Sequence, residues 1–530
     1  MNRSLVLVAN ALFIGATALL NACGGSDGSS SGAAVSSSTS STTSSTSSAS
    51  TTASVHASGV LTAFGSVFVN GTEYAVNGTT SIINGDANNA PSDDVALLVG
   101  MTVEVTASNN TASVVTYASA VRGEIDAINT AASTITVLGQ TVVVSSSTAF
   151  AGSSTTGGTT TAVTGLGNLS VGNYVVVYGY LDCTTSTSTT SCASGSTQVL
   201  ASLVYKPTAA GTYGTSGYAQ SVDGTSDTFL INGLTVSYAS ATCSSSPCSV
   251  ADGEFVTVAA AAATASTGGA LTLTATSLTT SSTAPVLVSG ETISIQGPVS
   301  DLNTASSTFV LRGVTINGSV LAATVATLAN SDIVQVTGTV NATGAIQASA
   351  ITIENQATFT LTAPVTAISS TADTLVVLGK TFTVNSSTSF YDQASNVRPF
   401  NLSNFASVLA VDNQLQVSGY VGSSGIIATQ VVRVPTPSTA YVAAQGVVTA
   451  DSLSADTLAI GGVAVSLTSS TSLNYLDSGS STSLAAFLDA IVVGSSVVAV
   501  QGSAGTTAGT LTATSASLLS SDCGWAGGGF

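Results

Sequence analysis

Positive charge is what this sequence has least of. Seven Lys and Arg stand against 25 Asp and Glu in 530 residues, for a net charge of -18. Such a chain has little with which to neutralise phosphates, which argues against nucleic acid and anionic membrane surfaces as partners. Charged residues of both signs make up only 6%. The acids are scattered singly, so solubility rests on Ser, Thr, Asn and Gly. His56 is the only histidine, and any Ser-His or Cys-His relay would depend on it. Aromatic residues are 5%, which counts against sugar-stacking platforms and against the aromatic girdles of a membrane-spanning barrel. Long apolar runs are missing as well. Mean hydropathy is positive, yet beyond the N-terminal stretch the longest unbroken apolar run is Val258 to Ala263, mostly alanine. A spanning helix needs about 20 such residues.

What is present begins with an address. Arg3 and the amino terminus form a short positive region, and Leu5 to Leu20 is apolar and small-residue rich. Residues 1–22 read as a secretory signal. Leu20-Asn21-Ala22-Cys23 resembles the bacterial lipobox, in which the cysteine becomes the acylated first residue. Cys23 is therefore the expected lipidation site. Several acyl chains, at about 0.8 kcal/mol per buried CH₂, anchor a protein stably to a membrane. Gly24 follows, where an Asp would signal inner-membrane retention, so the expected location is the outer membrane, on its periplasmic face or at the cell surface. Residues 23–56 are almost entirely Ser, Thr, Ala and Gly. They have no means of burying a core and are expected to be a disordered tether.

Cysteine usage is consistent with export. Cys183 and Cys192 flank a Thr/Ser loop, and Cys243 and Cys248 flank Ser-Ser-Ser-Pro. Both pairs read as local disulfides formed in an oxidising compartment. The second is tight enough for geometry to be the test. A zinc site would need more Cys or His nearby than the sequence supplies, and no metal or cofactor is expected. Cys523 is left over near the C-terminus.

From Ala57 onward one pattern recurs about six times. A strand opens each copy, as in Gly59-Val60-Leu61-Thr62-Ala63 and Gly123-Glu124-Ile125-Asp126-Ala127. A second strand runs into a glycine turn, as in Val67-Phe68-Val69-Asn70-Gly71, Phe229-Leu230-Ile231-Asn232-Gly233 and Phe309-Val310-Leu311-Arg312-Gly313. Asn-Gly between apolar runs predicts a hairpin, because both positions tolerate positive φ. A third strand, a variable loop, a fourth strand such as Val171-Gly172-Asn173-Tyr174-Val175-Val176-Val177 and a last strand such as Ala348 to Ile353 complete the unit. Period-two alternation gives each strand one buried and one wet face. About five strands in this order predict an all-β chain, a tandem array of about six small OB-like β-barrels. The alternative, small β-sandwiches, would need about seven strands per copy. The expected domains are residues 57–121, 122–208, 209–285, 286–355, 356–439 and 440–530, beads with separate cores and almost no linkers.

The pattern G-x-V-x-A, then V-N-G, then G-x-x-V-x-V-x-G, resembles the DUF5666 domain of bacterial lipoproteins, most closely in residues 57–121. That family has no assigned function, so the resemblance implies a fold and supplies no catalytic residue.

Other chemistry-bearing segments are better read as ordinary. Gly24-Gly25-Ser26-Asp27-Gly28 matches a nucleophile pattern but lies in the tether, away from any strand-to-helix turn. Leu476-Asp477-Ser478-Gly479-Ser480 resembles an aspartic-protease signature without its second copy. Asp86, Asp93 and Asp94 with Asn88 and Asn89 could offer oxygen ligands to calcium, in no known loop spacing. Tyr174, Tyr178 and Tyr180 are the best candidates for a glycan-stacking face, although alternation more simply packs Tyr174 and Tyr178 together. The terminal Phe530 matches the end of many outer-membrane barrels, without their terminal amphipathic strand. The expectation is a non-enzymatic, lipid-anchored envelope protein, structural or adhesive. The alternative is a binding module for a glycan or small extracellular ligand.

Overall fold

The computed structural model describes residues 54–519, apart from 65, 88–89, 93–95, 131, 157–158, 184–196, 244–247, 266–270, 282–286, 437–440 and 476–479. The fifth repeat shows the unit. Its ring strands are Phe359–Ser369, Thr374–Val377, Lys380–Thr383, Gln414–Gly422 and Gly425–Arg433, and a further strand, Ser389–Asp392, pairs parallel with the last. The first pairs antiparallel with the second near its C-terminal end and with the fourth near its N-terminal end. The second pairs with the third, and the fourth with the fifth. A parallel contact of third with fifth closes the circuit. Five strands thus form a ring in the order 1-2-3-5-4-1, the OB-like arrangement. All six repeats close in this way. The parallel link is a strand pairing in repeats 2, 3, 4 and 6 and a bridge between Ala75 and Thr111 in repeat 1. Short helices, Ala322–Val325, Phe405–Val408 and Leu484–Asp489, lie between third and fourth strands.

The hairpin glycines do what their sequence position predicts. Asn70 and Gly71 have φ of 54° and 71°, and the same pair of positive values recurs at Leu138-Gly139, Asn232-Gly233, Arg312-Gly313, Leu378-Gly379 and Gly461-Gly462. Two consecutive left-handed residues give the two-residue turn whose twist matches that of the strands it joins. The last glycine of the family pattern has a different task. Gly179, Gly338, Gly419 and Gly502 sit where the register between fourth and fifth strands slips by one residue. A Cβ on Gly419 would lie 2.5 Å from the Ile427 carbonyl oxygen, and one on Gly502 would lie 1.9 Å from that of Thr512. These are β-bulges that bend the pair around the small barrel.

The barrels are not beads. Their first strands pair with one another and merge six rings into three large sheets. The first strand of barrel 2, Val121–Asn129, meets that of barrel 3, Tyr213–Asp223, antiparallel. Barrels 5 and 6 join likewise, from Phe359 opposite Gly446 to Thr362 opposite Ala443. Barrel 1 reaches past its neighbours to barrel 4. Ser54–Phe64 runs parallel to Thr292–Asn303, with Val55 opposite Thr292 and Ser58 opposite Ile295. The cores follow the pairing. Barrels 5 and 6 share one hydrophobic cluster, and barrels 2 and 3 share another. The core of barrel 1 takes in Ala149, Ala151, Tyr178 and Leu203 from barrel 2. Among the described residues, only barrel 4 packs a cluster drawn wholly from its own residues. The expectation of separate cores therefore fails. A face that alternation marks as wet can instead be covered by another barrel, which period-two patterning does not distinguish.

Candidate functional site

The rare charged groups converge where barrels meet. Arg122, at the start of barrel 2, is 3% exposed. Its Nη1 donates to Asp86 Oδ1 at 2.6 Å and to Ser119 Oγ at 3.1 Å. Its Nε donates to the Thr212 carbonyl at 3.1 Å. Asp86 lies in the turn Gly85–Ala87 of barrel 1, and Thr212 leads into barrel 3, so one guanidinium ties three barrels. Asp86 also accepts from the Ser119 amide at 3.1 Å and from its hydroxyl at 2.9 Å. Its carboxylate is thus taken up by an internal network rather than offered to calcium. Asp93, Asp94, Asn88 and Asn89 lie outside the described residues.

The three tyrosines are buried ties rather than an open stacking face. Tyr174 donates to the Thr212 carbonyl at 2.6 Å and meets the Tyr213 ring edge-on at 5.9 Å. Tyr178 is inserted into the core of barrel 1. Burial is the main cause, with the nearby Asp86 charge adding to it, that pushes its phenol well above the ordinary range. Tyr180 donates to Gln296 Oε1 of barrel 4 at 2.9 Å, and the Arg312 guanidinium lies 5.8 Å from its ring centroid. Sequence reasoning missed Arg122, Gln296 and Arg312. A signal was present: in a chain with seven cations, each arginine is conspicuous.

His56 belongs to the first strand of barrel 1, which begins at Ser54. It is not the solvated linker residue that the composition suggested, because the strand extends three residues ahead of the first recognisable repeat motif. Its Nε2 lies 3.5 Å from Glu291 Oε1 and its Nδ1 lies 3.4 Å from Thr106 Oγ. The Glu291 side chain is 4% exposed and also accepts from Ser54 Oγ at 2.6 Å. A Thr-His-Glu line is formed, but both contacts exceed the roughly 2.6–3.2 Å of a working proton relay. The Ser54 hydroxyl is turned to the carboxylate rather than the ring. The arrangement is a seam between barrels 1 and 4.

Asp392 and Arg433 form a second buried pair, inside barrel 5. Burial works against the Asp392 charge. Arg433 and the Val397 and Ser395 amides outweigh it and hold the carboxyl below its ordinary range.

Cys243 and Cys248 are joined, with Cα atoms 5.4 Å apart, within the span a disulfide accepts. Cys183 ends a strand of barrel 2. Its expected partner Cys192 lies outside the described residues, as do Cys23, the tether up to residue 53, Asp477, Cys523 and Phe530.

One cleft stands apart from these ties. It measures about 610 Å³ and lies between the hairpin of barrel 1, with Phe68 and Glu73, and barrel 5, with Asp373, Asn385, Ser386 and Leu402. No Lys, Arg or His among the described residues lines it. Among the described residues no group of three or more His, Cys, Asp or Glu is placed to hold a metal.

Comparison with known proteins gives one positive result. Residues 55–121, 122–187, 296–352 and 362–432 match the family model described as "Domain of unknown function (DUF5666)". These segments fall in barrels 1, 2, 4 and 5. Barrels 3 and 6 have the same ring of strands outside the matched segments. No curated protein and no solved structure matches the chain.

Proposed function

Because the chain belongs to the DUF5666 family, as a tandem-repeat protein, we propose that it is a non-enzymatic envelope protein, structural or adhesive. In this reading residues 1–22 direct export, Cys23 is acylated, and the Ser/Thr-rich segment spaces a rigid six-barrel body from the outer membrane. The observation that carries the non-enzymatic part is the use made of scarce polar chemistry. Arg122, Asp86, Tyr180, Gln296, Glu291 and His56 all bridge barrels. A catalytic group has to face a substrate, whereas these face one another. The net charge of -18 supports a body held at a membrane by its lipid rather than by surface attraction.

Two measurements test the reading. Radiolabelled palmitate should enter the wild-type chain and not Cys23→Ser, which should be released in soluble form. Proteinase K on intact cells, probed for barrel 6, should remove the signal if the body is displayed outside. Protection until the outer membrane is opened assigns it a periplasmic scaffolding role. Label in Cys23→Ser equal to wild type would end the lipoprotein reading.

A second reading, capture of a small extracellular ligand, draws support from the cleft between barrels 1 and 5. It draws none from Tyr174, Tyr178 or Tyr180, whose rings are buried.

A further inference from the structure

We propose that the cleft between barrels 1 and 5 binds a short, uncharged oligosaccharide. This goes beyond the scaffolding role, which requires no ligand, and it deepens the second reading by naming a ligand class.

The cleft is preformed. Its walls belong to different barrels, and four contacts between those barrels lock them together. Phe400 N donates to the Phe64 carbonyl at 3.0 Å, and Asn401 Nδ2 donates to the same oxygen at 3.0 Å. The Arg398 guanidinium sits 3.9 Å over the Phe64 ring and reaches the Leu97 carbonyl at 2.7 Å. A ligand entering such a site pays little to order it. The volume of about 610 Å³ falls within the roughly 300–1,000 Å³ usual for ligand sites.

The lining selects by chemistry. Along its walls, Glu73, Asp373, Ser370 and Ser386 have side chains with no hydrogen-bond partner among the described residues. Asn385 Oδ1 accepts from Ser387 N at 2.9 Å, and its Nδ2 has no acceptor among the described residues. Phe68 is half-buried, packs against the core of barrel 5 and also lines the cleft. The site therefore offers carboxylate acceptors, hydroxyls, an amide donor and part of an aromatic face.

With no cation among the described lining residues, phosphate, sulfate and carboxylate ligands find no counter-charge and are repelled by Glu73 and Asp373. A cationic ligand gains from exposed Glu73 and partly buried Asp373 only what solvent and salt leave unscreened. A ligand with many hydroxyls gains most. Its OH groups donate to carboxylates in charge-assisted hydrogen bonds, and its apolar ring face can rest on Phe68. That combination describes a neutral sugar.

The test is titration calorimetry of the full chain with maltotriose, cellotriose and N,N′,N″-triacetylchitotriose, and with spermine and a sulfated disaccharide as contrasts. At least one neutral trisaccharide should bind. Glu73→Gln and Asp373→Asn should each weaken it about tenfold or more, as expected when a charged hydrogen-bond acceptor is lost. Raising salt to about 0.5 M, where the Debye length is a few ångströms, should change the affinity by less than about twofold. Both substitutions are at surface positions, and an unchanged melting temperature in each keeps a loss of binding interpretable. No binding by any of the three sugars at about 10 mM, where even a roughly millimolar affinity would register, overturns the proposal. So does sugar binding indifferent to both substitutions, or binding of spermine alone that salt abolishes. Palmitate labelling and protease shaving report on anchoring and display whatever the calorimetry shows, so the two readings fail separately.

Discussion

The hydroxyl of Thr388 donates to the carbonyl of Ala428 at 2.7 Å inside barrel 5. Ala428 lies opposite Gly419, where the register between the fourth and fifth strands slips. The same bond recurs from Thr80 to Ala112 at 2.8 Å, from Thr148 to Ala201 at 2.7 Å and from Thr471 to Ala513 at 2.9 Å. Each threonine also accepts from the amide three residues before it, as from Asn385 at 2.9 Å. The hydroxyl therefore holds a loop to a bulge. Thr388→Val keeps the shape and removes the donor. It should cost about 1–3 kcal/mol, the penalty of a buried carbonyl left unpaired, while Thr388→Ser should recover most of that. Urea unfolding followed by circular dichroism gives the comparison, and equal stability of the Val and Ser variants would deny the bond its role.

Gly419 itself is the second half of that arrangement. A methyl group there would lie 2.5 Å from the Ile427 carbonyl oxygen and 3.2 Å from the Phe382 ring. Gly419→Ala should destabilise barrel 5 by about 1–3 kcal/mol through overpacking. Because barrels 5 and 6 share one core, the loss should appear in both. Hydrogen exchange measured by mass spectrometry would show amides of Val442–Ser452 speeding up with those of Phe359–Ser369. Acceleration confined to barrel 5 would mean that the shared cluster does not couple their stability.

These two positions show what the sequence makes legible. The six hairpins, the ring of five strands and the fourth-strand pattern can be read directly, because turn glycines and period-two alternation are local signals. The threonine is also local, in Val144-Ser145-Ser146-Ser147-Thr148, Val384-Asn385-Ser386-Ser387-Thr388 and Leu467-Thr468-Ser469-Ser470-Thr471. It is hidden because the surrounding loops vary and hydroxyl residues are everywhere in this chain. Barrel pairing is a different matter. Val55 meets Thr292 across more than two hundred residues, and nothing in either strand names its partner. Tyr178 reads as a packing residue of its own barrel, yet it fills the core of another. The cleft between barrels 1 and 5 depends on that same long-range docking and leaves no motif.

Arg122 offers a test of how far the barrels depend on one another. Arg122→Met leaves the Asp86 carboxylate without its counter-charge in a half-closed junction and should cost about 3–5 kcal/mol, as breaking a buried pair from one side does. Pairing it with Asp86→Asn should restore part of the loss, because the stranded charge is gone. Thermal unfolding of the single and double variants forms the cycle. If the double variant is no more stable than Arg122→Met, the ion pair is not what the single change disrupts.

Acid should loosen barrel 5 in a defined direction. The folded Asp392 carboxyl titrates below its ordinary range, against burial and because of Arg433 and the neighbouring amides. A depressed carboxylate contributes stability that is fully present above the unfolded value, about 3.9 for Asp. That contribution is lost as pH falls through the lower folded value. The melting temperature should therefore hold steady from neutrality to about pH 5 and fall below about pH 4. Asp392→Asn should start lower at neutral pH and fall less steeply. An identical slope in the two proteins would assign the acid sensitivity to other carboxylates.

The parallel seam between barrels 1 and 4 predicts an effect across the chain. The first strand of barrel 1 is held on one side by Thr102–Ser108 and on the other by Thr292–Asn303. Gln296 Oε1 adds a hydrogen bond from the Val60 amide at 3.1 Å, and Arg312 reaches Ser58 and Glu104. Deleting residues 286–355 removes that second flank while leaving every strand of barrel 1 in place. Barrel 1 should still close, since its ring uses only its own strands. The amides whose bonds cross the seam, among residues 55–60, should lose protection while those of Thr111–Tyr117 keep it. The exposed strand edge would then be a template for pairing with another chain, so the shortened protein should self-associate as concentration rises. Hydrogen exchange and sedimentation velocity measure the two effects. Unchanged protection at residues 55–60 in a monomeric shortened chain would show that barrel 4 is a neighbour of that strand and not its support.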